Sequence, residues 1–208
     1  MKIIEKAWKK FKNDYNVGKV IPLYEEDMLC YLWYLIFSSI KVKHNSINIF
    51  AKSRLGTIKN KENMYFVDLI LCKEIKPDEQ GRKIAIDVIE LAELKFIARD
   101  FNEPECNTRV NEITNDIIKI EKISKIKLSL LKPKPNKKIQ SYILICDEKD
   151  YMKLTKTGKE RNTKAVIKFC EKAEKYIGNK NTKIIIYRKK NKHLEEVDLS
   201  SLRSFKTK

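Results

Sequence analysis

The chain of 208 residues is 42% hydrophobic and 35% charged, enough to build one good-sized core under a soluble surface. Its longest apolar run, Met28 to Ile40, has 13 residues against the roughly 20 that a membrane-spanning helix needs, and the N-terminus lacks the apolar stretch and cleavage site of a signal peptide, so a cytoplasmic protein without a membrane partner is expected. The formal net charge is +17, of which residues 132–208 carry +13, a balance that favours a polyanionic partner. 

Residues 1–19 are polar, with Trp8, Phe11 and Tyr15 spaced by three and four, the pattern of a short amphipathic helix or a docking arm. Pro22 suits a helix start, and Leu23 to Ile40 continues it with a broad apolar face of Leu29, Leu32, Trp33, Ile36 and Ile40. At 100° per residue Glu25 falls near the middle of that face, and Glu26 lies about 100° away. A carboxylate on a core-facing stripe needs a partner.

From Ser46 the pattern becomes extended. Ser46 to Ile58 reads as one strand or a strand with a loop, and Met64 to Cys72 as a strand. Glu74 to Arg82 has turn chemistry in Pro77, Asp78 and Gly81. Lys83 to Ile97 is the next extended segment, long enough to predict a bulge or bend within it. The three strands form an antiparallel meander. Thr108 to Leu131 has helical period and ends at Pro133 and Pro135, in a stiff linker. Gln140 to Cys146 is a strand apolar on both faces, Lys164 to Ile177 a helix stopped by Gly178, and Thr182 to Tyr187 a further strand. The charged tail from Arg188 has room for an edge strand at Glu195 to Leu199.

This order predicts an α/β fold with a mixed central sheet flanked by helices: an αβββαβ core followed by a further helix and strand. Residues 1–208 form a single domain, with 1–19 as a helical arm and 188–208 as a basic tail. The five cysteines, Cys30, Cys72, Cys106, Cys146 and Cys170, are scattered without a CxxC pair and read as small buried hydrophobes. With two histidines in the chain, any metal is expected to use oxygen ligands.

The residues with chemical potential lie in the meander. Strand residues alternate faces, so Glu93 and Lys95 share a side while Glu90, Ala92, Leu94 and Phe96 take the other. Asp68, from the neighbouring strand, comes within reach of Glu93. Both acids sit in strongly apolar runs, FVDLILC and IDVIELAELKFIA, where burying charge is costly unless the groups neutralise one another or bind an ion. Two carboxylates sharing a hard cation such as Mg²⁺, with Mn²⁺ as a substitute, and a lysine on the same face would serve phosphodiester hydrolysis. Asp87 also reaches the Glu93 face if the strand is regular. Lys52, Arg54 and Arg109 flank these residues and are candidates for gripping phosphates, while Tyr65 and Phe96 read as core aromatics, with stacking on bases as the alternative.

The helix with its acid, the meander with Asp68, the strand with Glu93 and Lys95, and the following helix together resemble the PD-(D/E)XK nuclease superfamily, over roughly residues 22 to 187 and in element order rather than sequence identity. Val67 stands where the motif has its proline, and 25 residues separate the two acids, more than is common in the family. The resemblance implies a restriction-endonuclease-like fold, metal binding by Asp68 and Glu93, catalysis by Lys95 and a further metal ligand in Glu25, with Glu26 as its alternative. It implies a DNA endonuclease, with a homodimer expected where both strands are cut. The rival readings are a non-catalytic nucleic-acid-binding protein on the same scaffold and a basic protein-interaction module.

Overall fold

A computed structural model describes residues 2–43, 47–55, 65–77, 81, 83–98, 103–125, 139–149, 151, 168–174 and 181–197. The elements run α1 (Ile3–Asn16), α2 (Glu25–Lys43), β1 (Asn48–Leu55), β2 (Tyr65–Pro77), β3 (Lys83–Ile97), α3 (Glu103–Lys125), β4 (Gln140–Asp147), β5 (Thr182–Lys190) and β6 (His193–Val197), with residues 168–174 also helical. The strands make one mixed sheet in sequence order. β1, β2 and β3 pair antiparallel, β3 with β4 and β4 with β5 parallel, and β5 with β6 antiparallel. Parallel neighbours require a crossover, and α3 supplies the one from β3 to β4.

Each face of the sheet is covered by helices because each carries its own apolar set. Leu91, Ile97, Ile143, Ile145 and Ile186 pack with Val110, Ile113, Ile117 and Ile120 of α3 and with Phe169 and Ala173. Leu69, Leu71, Ala92, Leu94, Phe96, Tyr142 and Leu144 pack with α1 and α2. The alternation expected along β3 from Glu90 to Ile97 is thus what divides the two cores. Phe96 belongs to the second core; the side chain of Tyr65 lies outside the described residues.

The segment expected to be an arm is helical but does not project. Ile4, Trp8 and Phe11 of α1 are buried, and the Trp8 ring stacks on Phe11 at 5.0 Å and on Tyr187 of β5 at 4.9 Å. Its aromatic stripe meets the sheet face that α2 leaves bare. At the other end, residues 188–190 extend β5 and residues 193–197 form the edge strand; residues 198–208 lie outside the described set.

Several boundaries differ from expectation. β2 continues through Glu74 to Pro77, because cross-strand pairing down to Pro77 opposite Lys83 outweighs the turn preference of that stretch. α3 begins at Glu103, five residues ahead of the expected start at Thr108, with Pro104 at a position where a missing N–H costs nothing. The expected irregularity in β3 is a bulge: Leu71 faces Glu90 but Cys72 faces Val88, leaving Ile89 unpaired. Of the cysteines, Cys72, Cys146 and Cys170 are buried, whereas Cys30 is exposed, since α2 turns its Cys30 side away from the sheet; the Cys106 side chain lies outside the described residues. Among the described residues, no helix is long and apolar enough to cross a membrane.

Candidate functional site

The site begins where the sheet opens. β2 pairs with β3 from Pro77 back to Leu69 opposite Ala92, and there the β2–β3 ladder ends. Beyond that point the backbone N–H groups of Leu94 and Phe96 need other acceptors. They find carboxylates: Leu94 N–H donates to Asp68 Oδ2 at 2.8 Å and Phe96 N–H to Glu25 Oε2 at 3.2 Å. One acid comes from β2 and the other from the first turn of α2, so the fork is closed by side chains in place of a strand.

On the α3 side of the fork, Glu93 and Lys95 meet Asp116 and Lys119, which α3 presents at i and i+3. The charges alternate. Lys119 Nζ lies 2.8 Å from Glu93 Oε1 and 3.1 Å from Asp116 Oδ1, and Lys95 Nζ lies 3.3 Å from Asp116 Oδ2 and 3.9 Å from Glu25 Oε1. Lys119 also donates to the Phe66 carbonyl at 3.0 Å. Glu93 is only 2% exposed and Asp116 8%. Glu93 Oε1 and Asp116 Oδ2 are buried without a donor in hydrogen-bond geometry, although an ammonium group stands within ion-pair distance of each.

This crowding sets the protonation of the site. Burial, then the neighbouring charges of Asp68 and Asp116, push the Glu93 carboxyl up to about 9, and Lys119 pulls it back only in part. Burial also raises Glu25, against the opposing influence of Lys95 and the Phe96 N–H. For Lys95 burial works downward, yet Asp116, Glu25 and Asp68 outweigh it and its ammonium is held above the ordinary lysine value. Lys119 is raised in the same way by Glu93 and Asp116.

Asp68, Glu93, Lys95 and Glu25 are therefore brought into one electrostatic cluster. Glu26, the alternative to Glu25, points away from Lys95 and pairs with Lys52 at 2.8 Å on the exposed side of α2. Lys52 and Arg109 flank the acids: both act electrostatically on Glu25, and Arg109 also pairs with Glu112 at 3.0 Å. Arg54 lies in β1 opposite Phe66, with its side chain outside the described residues. Asp87 is not brought in. It lies beyond the bulge, with φ of +50°, so the regular alternation that would carry it to the Glu93 face does not hold.

Asp116 and Lys119 are functional residues beyond those expected from the sequence. A signal existed: on α3, Asp116 is 60° from Ile113 and borders the apolar stripe, as Glu25 does on α2. Among the described residues, no three Asp, Glu, His or Cys side chains stand together in an arrangement that grips a metal ion. The donor set still suits a hard cation: every candidate ligand is an oxygen, and one of those oxygens, Glu93 Oε1, is buried without a hydrogen bond, as is Oδ2 of the neighbouring Asp116. Comparison with known proteins gives no match to any family model, to any curated protein or to any solved structure.

Proposed function

We propose that this protein is a metal-dependent nuclease that hydrolyses DNA phosphodiester bonds, with Asp68 and Glu93 as metal ligands, Lys95 as the catalytic ammonium and Glu25 as a further acid of the site. The observation that carries the reading is the burial of Glu93 beside Lys95 at the β2–β3 fork, with Asp68 close enough to raise its pKa. Buried carboxylates crowded together in apolar strands are costly to keep unless they perform a task. The order helix, three antiparallel strands, helix, parallel strand from α2 to β4 supports the same reading, as does the basic balance of the chain.

A bound Mg²⁺ or Mn²⁺ would supply Lewis acidity toward a phosphate oxygen and toward a water molecule. The protein's own share follows from the geometry. The Leu94 N–H fixes the Asp68 carboxylate, and the Phe96 N–H fixes Glu25. Asp116 and Glu25 keep Lys95 charged, ready to stabilise negative charge that develops on the phosphate. Lys52 and Arg109, at the edge of the acids, add positive charge for the neighbouring phosphates.

Purified protein should cut plasmid, single-stranded or branched DNA when Mg²⁺ or Mn²⁺ is present. Asp68→Asn and Lys95→Met should each lower the cleavage rate about 100-fold or more while leaving DNA affinity within a few-fold of wild type. The second reading, a nucleic-acid-binding protein without catalysis, is favoured by the way Lys95 and Lys119 already neutralise the acids. It prevails if wild type binds DNA with steep salt dependence yet cuts none of these substrates with either metal.

A further inference from the structure

We propose that Lys119 is a resident cation of this site, holding the position between Glu93 and Asp116 that a divalent ion takes over by displacing it. The inference rests on the reading of Glu93 as a metal ligand and goes beyond it, by adding Asp116 and the Phe66 carbonyl to the oxygens offered to the ion and by stating what occupies the Glu93 oxygen beforehand.

Lys119 Nζ is surrounded by three oxygens from three elements: Glu93 Oε1 of β3 at 2.8 Å, Asp116 Oδ1 of α3 at 3.1 Å and the Phe66 carbonyl of β2 at 3.0 Å. Two carboxylates and a backbone carbonyl are the donors a hard cation selects. An ammonium group has three N–H bonds and no more. Of the three oxygens, the Phe66 carbonyl accepts from Lys119 in hydrogen-bond geometry, whereas Glu93 Oε1 stands at ion-pair distance without a well-aligned donor, an oxygen paired by charge and open to a different cation. The oxygens stand at ammonium distances, longer than the roughly 2.0–2.6 Å that Mg²⁺ or Ca²⁺ requires. A divalent ion in this position would thus have to expel the ammonium and draw the oxygens inward.

The construction of the site permits such an exchange. The Lys119 head sits at the end of a flexible four-carbon stem on the surface of α3, and its side chain is 23% exposed. It can swing outward by changing rotamer, without any movement of helix or strand. Lys95 differs: it projects from the middle of β3, is more deeply enclosed, and is held from the other side by Asp116 and Glu25. Four acidic side chains, those of Glu25, Asp68, Glu93 and Asp116, surround these two ammonium groups, and a divalent ion would bring a second positive charge to them in exchange for one ammonium and the proton of Glu93.

The test uses the wild-type protein and Mn²⁺ alone. Binding is measured by calorimetry, and lysine acylation is followed by mass spectrometry with and without saturating Mn²⁺. Acylation of Lys119 should rise several-fold when Mn²⁺ is bound, while that of Lys192, on the exposed β5–β6 turn, should stay constant. In a second arm, Lys119→Met should bind Mn²⁺ several-fold more tightly than wild type, and Glu93→Gln should lose the binding. Mn²⁺ binding with unchanged or reduced Lys119 acylation, or weaker binding by a folded Lys119→Met, overturns the inference and leaves the metal site standing. No Mn²⁺ binding by wild type or by Lys119→Met removes both.

Discussion

Glu93 is the side chain on which solution conditions act most directly. Its carboxyl has an ordinary value of 4.5 and is pushed up to about 9 in the fold, by burial first and by Asp68 and Asp116 next. A folded-state value above the unfolded one means that the native protein binds the extra proton. Stability should therefore fall as pH rises through the interval from 4.5 to about 9, because ionisation is easier in the unfolded chain. Chemical denaturation across that range should show the decline, and Glu93→Gln should flatten it. The two lysines act in a different window. Their folded values are raised above 10.5, so their favourable contribution is complete below 10.5 and is lost as pH climbs through the folded values.

Elements in this protein borrow their terminal partners from distant parts of the chain. α1 has Lys2 at its N-cap, and Lys2 gives no side-chain acceptor. Glu90, on the sheet face that α1 covers, accepts from both Ile3 N–H and Ile4 N–H at 2.9 Å, capping the helix from β3. Glu90→Ala should destabilise the protein by about 1–2 kcal/mol in urea denaturation, the usual cost of losing a helix cap, and should speed amide exchange at Ile3 and Ile4 ahead of the remaining helix. Asp68 and Glu25 play the same part for β3, each taking a backbone N–H left free at the fork. The bulge at Ile89 sets both uses apart from the hairpin end of β3: Glu90 and the residues after it follow the register that builds the fork, while Asp87 lies on the hairpin side.

Across the whole molecule, α1 ties the first residues of the chain to the last strands. Trp8 is buried between Phe11 and Tyr187, and Asn16 exchanges hydrogen bonds with the Leu194 backbone of β6. Trp8→Ala should cost about 3–5 kcal/mol, read as a loss of denaturation midpoint for the entire molecule in one transition rather than for α1 alone. The net charge of +17 acts on the same scale. Under the proposed function, DNA affinity should fall steeply and linearly on a log–log plot against salt, and charge-removing substitutions at Lys52 or Arg109 should each reduce that slope by about one.

Much of this architecture is legible in the residue pattern. The apolar alternation along β3, the apolar runs of β4 and β5 and the helical stripe of α3 name the sheet and the helices that cover it, because burial periodicity is a local property. The sharing of one face by Glu93 and Lys95 follows from the same period of two. What only the tertiary structure decided is which charges meet. Asp116 and Lys119 read locally as a surface i,i+3 pair and enter the site because α3 lies across the Glu93 face of the sheet. Asp87 leaves the pattern because one unpaired residue reverses the alternation, and a segment with the look of an arm becomes core because its aromatic stripe finds the sheet face beside α2. A local sequence states which side chains prefer to be buried; the packing of distant elements determines which of them are buried together.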